Sequence, residues 1–435
     1  MRILIAVHHF PPAFTAGAEW QAFRTAKGLQ ARGHDVSVVT VERVDDGPSN
    51  GVAWVDDVYM GLPVRRLNFN RALCPDERLW EYRNDWIRDH CVDWWRQERP
   101  DLVHVVSGYL LTGGLFEATE ALALPTVLTL TDFWWLCPRN TLLRSDGSIS
   151  TAPEEPWRCA RCVAEEQPLV RRLGRLSQRL ADAYWQRQPG PIGRIEARRQ
   201  YLRERFGRVN SIISPSRFLR DAHVAAGVAP DRITVSRQGI ELIDKGLHLN
   251  ARKISSDRLR VAYMGQIAEL KGVHVLVDAV RQIDDPRLQL RIYGDMGRFP
   301  AYSARLKQQA AGDTRISFPG PFVGAEGLAT VLSEVDVLVV PSLWYENSPN
   351  VILEAFALKT PVVVSDFGGM AELVEPEVDG LRFGVGDSAD LARQLRRLSN
   401  EAGLLERLTA GTPTIRSVSD EMQALEAEYT SVLAR

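Results

Sequence analysis

A chain of 435 residues that is 45% hydrophobic and 25% charged has material for two domains of roughly 200 residues, each with its own core, and its composition excludes disorder. A formal net charge of −2 gives no global attraction to nucleic acid or anionic lipid, so a basic patch can matter only locally. No run reaches the ~18 apolar residues of a membrane span, MRILIAVHHF lacks a signal-peptide core and cleavage site, and five cysteines, an odd number, read as reduced thiols; the expected location is the cytoplasm.

In chain order, RILIAV, the helical stretch EWQAFRTAKGLQARG and DVSVVTV are followed by LVHVVS, PTVLTLTD and SIISPS. Short β-branched runs alternating with helices signal βαβ units and a parallel sheet. His8 and His9 close the first strand, where one of them can orient a ligand; His104, inside LVHVV, and Trp134 and Trp135 read as core. From Arg171 to Arg208 there are eleven arginines against Asp182, Glu196 and Glu204, with Leu173, Leu176, Leu180 and Tyr184 at helical spacing and Trp185 nearby. Such a basic amphipathic helix suits adsorption to an anionic membrane surface; the competing reading is a solvated surface helix. Nucleic acid is not expected, since no aromatic platform or binding motif accompanies the charge.

The rhythm restarts after about residue 240 with RVAYMG, LQLRIYG, RISFPG, VDVLVVPS and PVVVSD, separated by GVHVLVDAVRQI and GLATVLSEV. Two doubly wound, Rossmann-like α/β domains are expected, 1–238 and 239–415, with the boundary near RQGIELIDKGLHLN and a final amphipathic helix over 416–435. Open parallel sheets bind ligands at the carboxyl ends of their strands, and two such sheets facing each other create a cleft.

AYMGQIAELKG leaves a strand with Gly265 and Gln266 and reaches Lys271 and Gly272 just before a helix. Backbone amides there favour an anion, and Lys271 adds a full charge, although the spacing is not that of a Walker A loop. In PSLWYENSPNVILEAFALKTPVVVSD, Glu346 falls in a strand-exit loop and Glu354 in the early turns of a helix started by Pro349. Amides near Ser348, Pro349 and Asn350 would point at an anion, proline supplying none, and a carboxylate one turn on can accept hydrogen bonds from vicinal hydroxyls. An eight-residue spacing of two glutamates is by itself a chance event in a chain this long.

GQIAELKG, PSLWYENSPNVILEAFALKTPVVVSDFGGMAELV and PPAFTAGAEWQAFRTAKGLQARGHDVSVVT together resemble glycosyltransferase family four, retaining enzymes of the GT-B fold, over nearly the whole chain. The resemblance implies transfer of a sugar from a UDP- or GDP-sugar to an acceptor hydroxyl, on a glycan or lipid-linked glycan of bacterial surface polysaccharide. It implies that Glu346 contacts the transferred sugar, Glu354 the ribose, and Lys271 the diphosphate, whose oxygens meet the amides near Asn350 and Val351. It further implies that the Gly17 loop closes over the donor and that the final helix packs back on the first domain. Asp132 is the candidate for holding the acceptor. No metal is required for the donor, because no clustered Asp-x-Asp stands at a strand end, and a front-face route needs no covalent nucleophile.

Three positions depart from the family pattern. Gln266 stands where an arginine is usual, removing one phosphate charge that Arg237 or Arg291 would have to replace. Thr131 replaces a histidine before Asp132, and Gln238 stands where an asparagine is common, which reads as structural. DFWWLCPRNTLLRSDGSIS with WRCARC resembles a cysteine-rich bacterial subgroup, in which Cys137, Cys159 and Cys162 would supply three ligands of a structural zinc. Ser150 stands where a fourth cysteine is expected, so free thiols are the competing reading. Two other functions fit the same resemblance: a GT-B-fold nucleotide-sugar epimerase, or a non-catalytic nucleotide-sugar-binding protein. A phosphorylase would need a pyridoxal-binding lysine, and none is identifiable.

Overall fold

The computed structural model describes residues 1–14, 16–150, 153–247, 254 and 256–435. It divides into two compact units, Met1–Ser236 with Met422–Arg435, and Arg237–Glu421. The segment expected to carry the boundary runs into residues 248–250, which lie outside the described residues.

The first unit is built on eight strands: β1 (Arg2–Val7), β2 (Asp35–Arg43), β3 (Ala53–Tyr59), β4 (Leu62–Asn68), β5 (Leu102–Val106), β6 (Thr126–Thr129), β7 (Ser211–Ser214) and β8 (Ile233–Val235). They are ordered β3-β4-β2-β1-β5-β6-β7-β8, and every pairing is parallel except β3 with β4. That antiparallel hairpin was not anticipated from the hydrophobic runs. Its turn is Met60-Gly61, both at positive φ (50° and 82°), which matches the twist of the two strands they join.

The second unit holds β9 (Leu259–Met264), β10 (Leu288–Tyr293), β11 (Ile316–Ser317), β12 (Val337–Val340), β13 (Val362–Ser365) and β14 (Gly380–Phe383), ordered β11-β10-β9-β12-β13-β14 and parallel throughout. Helices cover both faces, so successive residues of β9 enter different cores. Val261 and Tyr263 join Leu276 and Leu395, whereas Ala262 and Met264 join Leu353 and Phe356.

The last helix, Val418–Leu433, buries Met422, Leu425, Tyr429 and Val432 against the first unit. Glu426 binds Arg32 at 2.6 Å and His34 at 2.7 Å, and Met422 fills the space a side chain at Gly28 would take. Tyr429 Oη lies 2.6 Å from His104 Nδ1, and His104 Nε2 lies 2.7 Å from Thr129 Oγ1. Burial lowers the His104 pKa to about 3, so this core histidine is neutral.

The arginine-rich stretch is not one helix. It folds as Pro168–Leu176, Gln178–Trp185 and Pro189–Arg208, because Ser177 caps the second (its Oγ accepts from Leu180 N) and proline opens the third. Its charge also divides: Arg198 is buried and Arg205 is paired with Glu117 and Glu120. Among the described residues, no helix is long and apolar enough to cross a membrane.

Candidate active site

In the second unit the strand order reverses between β9 and β12, and an open sheet leaves a crevice beyond its carboxyl ends at such a point. β9 is followed by Gly265, Gln266 and the single turn Glu269–Lys271; β12 is followed by the loop 341–349. Leu343 N donates to Leu270 O at 2.8 Å, and Ser342 Oγ lies 3.2 Å from the same oxygen. Gly272 permits this approach: its φ is +67°, and a Cβ there would lie 1.9 Å from Pro341 O.

The two loops bring Lys271 and Glu346 together as an ion pair on Glu346 Oε1. Ser342 Oγ and Trp344 Nε1 each donate to that same oxygen from 3.2 Å, and Lys271 Nζ lies 5.6 Å from the Trp344 ring centroid. Three donors thus fix one oxygen, and no donor among the described residues reaches Oε2. The backbone of Glu346 is held as well, its carbonyl accepting from Gly369 N at 2.8 Å, where a Cβ would collide with Asn347 O. Tyr263 Oη donates to Gln266 O at 2.6 Å; burial and then the charge of Glu346 raise its pKa, keeping it a donor.

The helix Asn350–Ala357 starts at Pro349 with no side-chain cap, leaving its first amides for an outside acceptor. Ser348 Oγ and Asn350 Oδ1 are buried with no hydrogen-bond partner among the described residues. Val351 follows in the first turn, and half-buried Glu354 lies one turn beyond Asn350 on the same face. The helix ends at Ala357, earlier than the apolar pattern suggests, and Lys359 takes a left-handed φ of 55° before Thr360-Pro361. Neither arginine offered in place of the missing charge at Gln266 is free: Arg237 binds Glu372 at 3.2 Å and Arg291 binds Glu334 at 2.5 Å.

The first unit has its own reversal, between β1 and β5. Gly17 opens the helix Gly17–Ala31 and is exposed, with open space around its Cα. Asp132 is engaged on both oxygens, Oδ2 accepting from Ser107 Oγ at 2.6 Å and Oδ1 from Trp134 N at 2.8 Å. His8 Nε2 lies 3.5 Å from Glu19 Oε1, and His8 Nδ1 has no partner among the described residues. Burial opposes ionisation of Glu19, and the hydrogen bond and charge of His8 outweigh it, so its pKa is lowered. His9 Nδ1 lies 2.7 Å from Val41 O, and burial lowers its pKa.

Cys137, Cys159 and Cys162 line one small cavity with Arg139 and Ser150. Arg199 donates to Cys159 Sγ at 3.3 Å and Arg139 to Cys162 Sγ at 3.8 Å, while Ser150 Oγ is spent on Glu154 at 2.7 Å. Burial pushes the Cys159 thiol up to about 11 and raises Cys162. Among the described residues, no group of three or more His, Cys, Asp or Glu side chains is placed to hold a metal ion.

Ser342 and Trp344, which fix Glu346, were not singled out from sequence, although their positions four and two residues before it in one loop are a usable signal. Ser107 and Glu19 carried none, because their partners come from distant elements.

Residues 15–243 match the model of Glycosyltransferase Family 4, and residues 258–401 match that of Glycosyl transferases group 1. A D-inositol 3-phosphate glycosyltransferase of Streptomyces bingchenggensis is 30% identical over 86% of this chain and 70% of its own length. The chain belongs to glycosyltransferase family 4. Another relative, the amylovoran biosynthesis glycosyltransferase AmsK of Erwinia amylovora, is 31% identical over 44% of this chain and 48% of its own length. The chain spans about half the length of the first curated relatives it matches. Among solved structures, Anabaena Alr3699/HepE in complex with UDP matches with a TM-score of 0.67 and 18% identity over 99% of this chain and 100% of that one. The family-4 chain therefore has the GT-B fold expected of it.

Proposed function

We propose that this family-4 protein moves a sugar from a UDP- or GDP-sugar to an acceptor hydroxyl with retention of anomeric configuration. The observation that carries this reading is the carboxylate of Glu346, fixed through Oε1 by Lys271, Ser342 and Trp344 with Oε2 left over, beside an uncapped helix start. The reaction must stabilise a departing diphosphate and an oxocarbenium-like sugar, and both needs are electrostatic. On donor binding, the diphosphate competes with Glu346 for Lys271 and takes the amides of Asn350 and Val351, with Gly265 and Gln266 alongside. Glu346 Oε2 then accepts from a hydroxyl of the transferred sugar, and Glu354 from the ribose. The bond from anomeric carbon to phosphate oxygen breaks, the acceptor oxygen bonds to that carbon on the same face, and the leaving phosphate takes the acceptor's proton. Asp132 holds the acceptor.

The acceptor is a glycan or lipid-linked glycan of surface polysaccharide, and the protein works at the inner face of the membrane. Two observations support this. Leu169, Leu173 and Leu176 stand at i, i+4 and i+7 of the helix Pro168–Leu176, 69%, 60% and 82% exposed, and Leu180 and Tyr184 are exposed on the next. Arg171, Arg172, Arg175 and Arg179 on these helices form no ion pair among the described residues, and each is worth about 1 kcal/mol near an anionic lipid surface.

Titration calorimetry with UDP and with GDP tests the site: Glu354→Gln should weaken nucleotide binding and Lys271→Ala should lower both binding and turnover. Unchanged affinity in both variants would refute the assignment. Free UDP or GDP released only when acceptor is present separates transfer from epimerisation, and turnover itself separates it from binding alone.

A further inference from the structure

The exit loop of β5 in the first unit, residues 107–112, is strained and locked. Ser107, Leu110 and Thr112 take left-handed φ values of 70°, 59° and 61°, and none of them is glycine. Such strain persists only where the surroundings over-determine it, and it clusters at ligand sites. The surroundings here are the exit loop of β6. Ser107 Oγ donates to Asp132 Oδ2 and accepts from Tyr109 N at 3.2 Å, and a Cβ at Gly108 would collide with the Trp134 ring. Thr112 Oγ1 anchors the far end, accepting from Asn84 N at 3.0 Å.

One side chain of this loop faces outward. Ser107, Gly108, Leu111 and Thr112 are buried and Leu110 is partly buried, whereas Tyr109 is 37% exposed. The Tyr109 backbone is used within the loop, its carbonyl accepting from Leu111 N at 2.7 Å, and its hydroxyl has no partner among the described residues. Its ring makes an edge contact with His8 at 5.6 Å; His8 meets His9 at 5.5 Å, and His9 stacks on Phe14 at 3.8 Å. His8 directly follows β1 and Ser107 directly follows β5, so the Tyr109 ring ends a row of rings at the two strand ends where this sheet reverses.

A scattered aromatic side chain on a surface needs no explanation. This one is held out by strained backbone at strand ends and is tied through the Ser107 hydroxyl to the Asp132 carboxylate, so ring and carboxylate keep one spacing. A pyranose offers a matching pair of features: a face of C–H groups, which the negative face of an aromatic ring attracts, and a rim of hydroxyls, which a carboxylate can accept from. We infer that Tyr109 is the platform on which the sugar ring of the acceptor stacks, an inference that rests on the transfer reading above, in which Asp132 holds the acceptor. The acceptor class it selects is a pyranoside, recognised by its ring face as well as its hydroxyls.

The test is a ligand-observed NMR titration of the full chain with methyl β-D-glucopyranoside, methyl β-D-galactopyranoside, methyl α-D-mannopyranoside and sorbitol, which carries hydroxyls without a ring face. At least one glycoside should bind with millimolar affinity, and sorbitol should not saturate. Tyr109→Phe should keep that affinity within about twofold, whereas Tyr109→Ala and Tyr109→Leu should each weaken it about five- to tenfold, with melting temperature and UDP affinity unchanged. Tyr109→Leu keeps an apolar side chain against His8 but has no aromatic face, which separates stacking from packing. No glycoside bound by the natural chain, sorbitol bound as tightly, or full affinity in Tyr109→Leu would overturn the proposal. The titration needs no donor, so its failure is distinct from failure of the transfer reading, which would show as no nucleotide release with any acceptor.

Discussion

The two units share a topology and differ at the point where each reverses. In the second, the ends of β9 and β12 gather a lysine, a carboxylate held through one oxygen and a helix start without a cap. In the first, the ends of β1 and β5 gather His8 against Glu19 and Ser107 against Asp132, a set of imidazole, hydroxyl and carboxylate groups. In the function proposed above, the second unit's crevice meets a dense negative charge and the first unit's meets hydroxyl groups. The same fold can host both because strand ends present whatever the exit loops carry.

The contrast breaks most sharply at Lys271. Lys271→Ala removes a charge-assisted contact worth about 1.5–3 kcal/mol, so nucleotide affinity should fall about 10- to 100-fold, with a larger loss in turnover. Asp132→Asn should lower turnover while leaving UDP and GDP affinity within about twofold. Calorimetry and a coupled nucleotide-release assay on the two variants suffice; an Asp132 variant that loses nucleotide affinity as strongly as the Lys271 variant would erase the distinction between the crevices.

Acid separates the units in another way. His104 and His223, both in the first unit, have pKa values lowered by burial to about 3 and about 4, against 6.5 ordinarily. The unfolded chain binds these protons first, so stability is level above about pH 7 and falls as pH drops from about 6.5 toward 4. At pH 5 each histidine costs about 2 kcal/mol, at roughly 1.36 kcal/mol per pH unit. In the second unit Asp379 has the opposite sign: burial raises it to about 6, so its folded form gains a proton first and stability rises as pH falls from about 6 toward 4. Ten of the eleven tryptophans lie in the first unit, so tryptophan fluorescence follows it. Its melting temperature should be lower at pH 5 than at pH 7.5, and His104→Asn should shrink the difference.

Glu354→Gln sharpens the reading of the second crevice. An amide still accepts from a ribose hydroxyl but without charge, so affinity for UDP or GDP should fall by about tenfold, and affinity for inorganic pyrophosphate should not change. Equal losses for nucleotide and pyrophosphate would move Glu354 from the ribose to the phosphates.

Much of this was legible in the sequence because it is periodic or local. Buried parallel strands announce themselves as β-branched runs, and RILIAV, RVAYMG and VDVLVVPS all became central strands. Glu346 and Lys271 were readable as candidates from their strand-exit loops, and Asn350 from its place at a helix start. What was hidden depends on partners far apart in the chain. The Tyr429 hydroxyl meets His104 across 325 residues, and the arginines that donate to Cys159 and Cys162 lie 40 and 23 residues from them. The arginine-rich stretch failed for a local reason that periodicity overlooks: a serine cap and a proline cut one apparent amphipathic helix into three.

Gln266 is where the resemblance read from sequence expects an arginine, and it carries the smallest effect expected. It follows Gly265 directly at the end of β9, half-buried, with its carbonyl held by Tyr263. Arg237 and Arg291, the two residues considered for the missing charge, are both committed to carboxylates, so in the proposed function Lys271 and the helix amides meet the diphosphate without them. Gln266→Arg should therefore raise affinity for UDP or GDP about three- to tenfold, the return of one partly exposed charge pair, and the gain should shrink as salt is added because such pairs are screened. The same substitution in the Lys271→Ala background should recover part of the lost binding. A variant that binds no tighter at low salt would mean that position 266 does not face the phosphates, and that the anion site is built from Lys271 and the start of the helix Asn350–Ala357 alone.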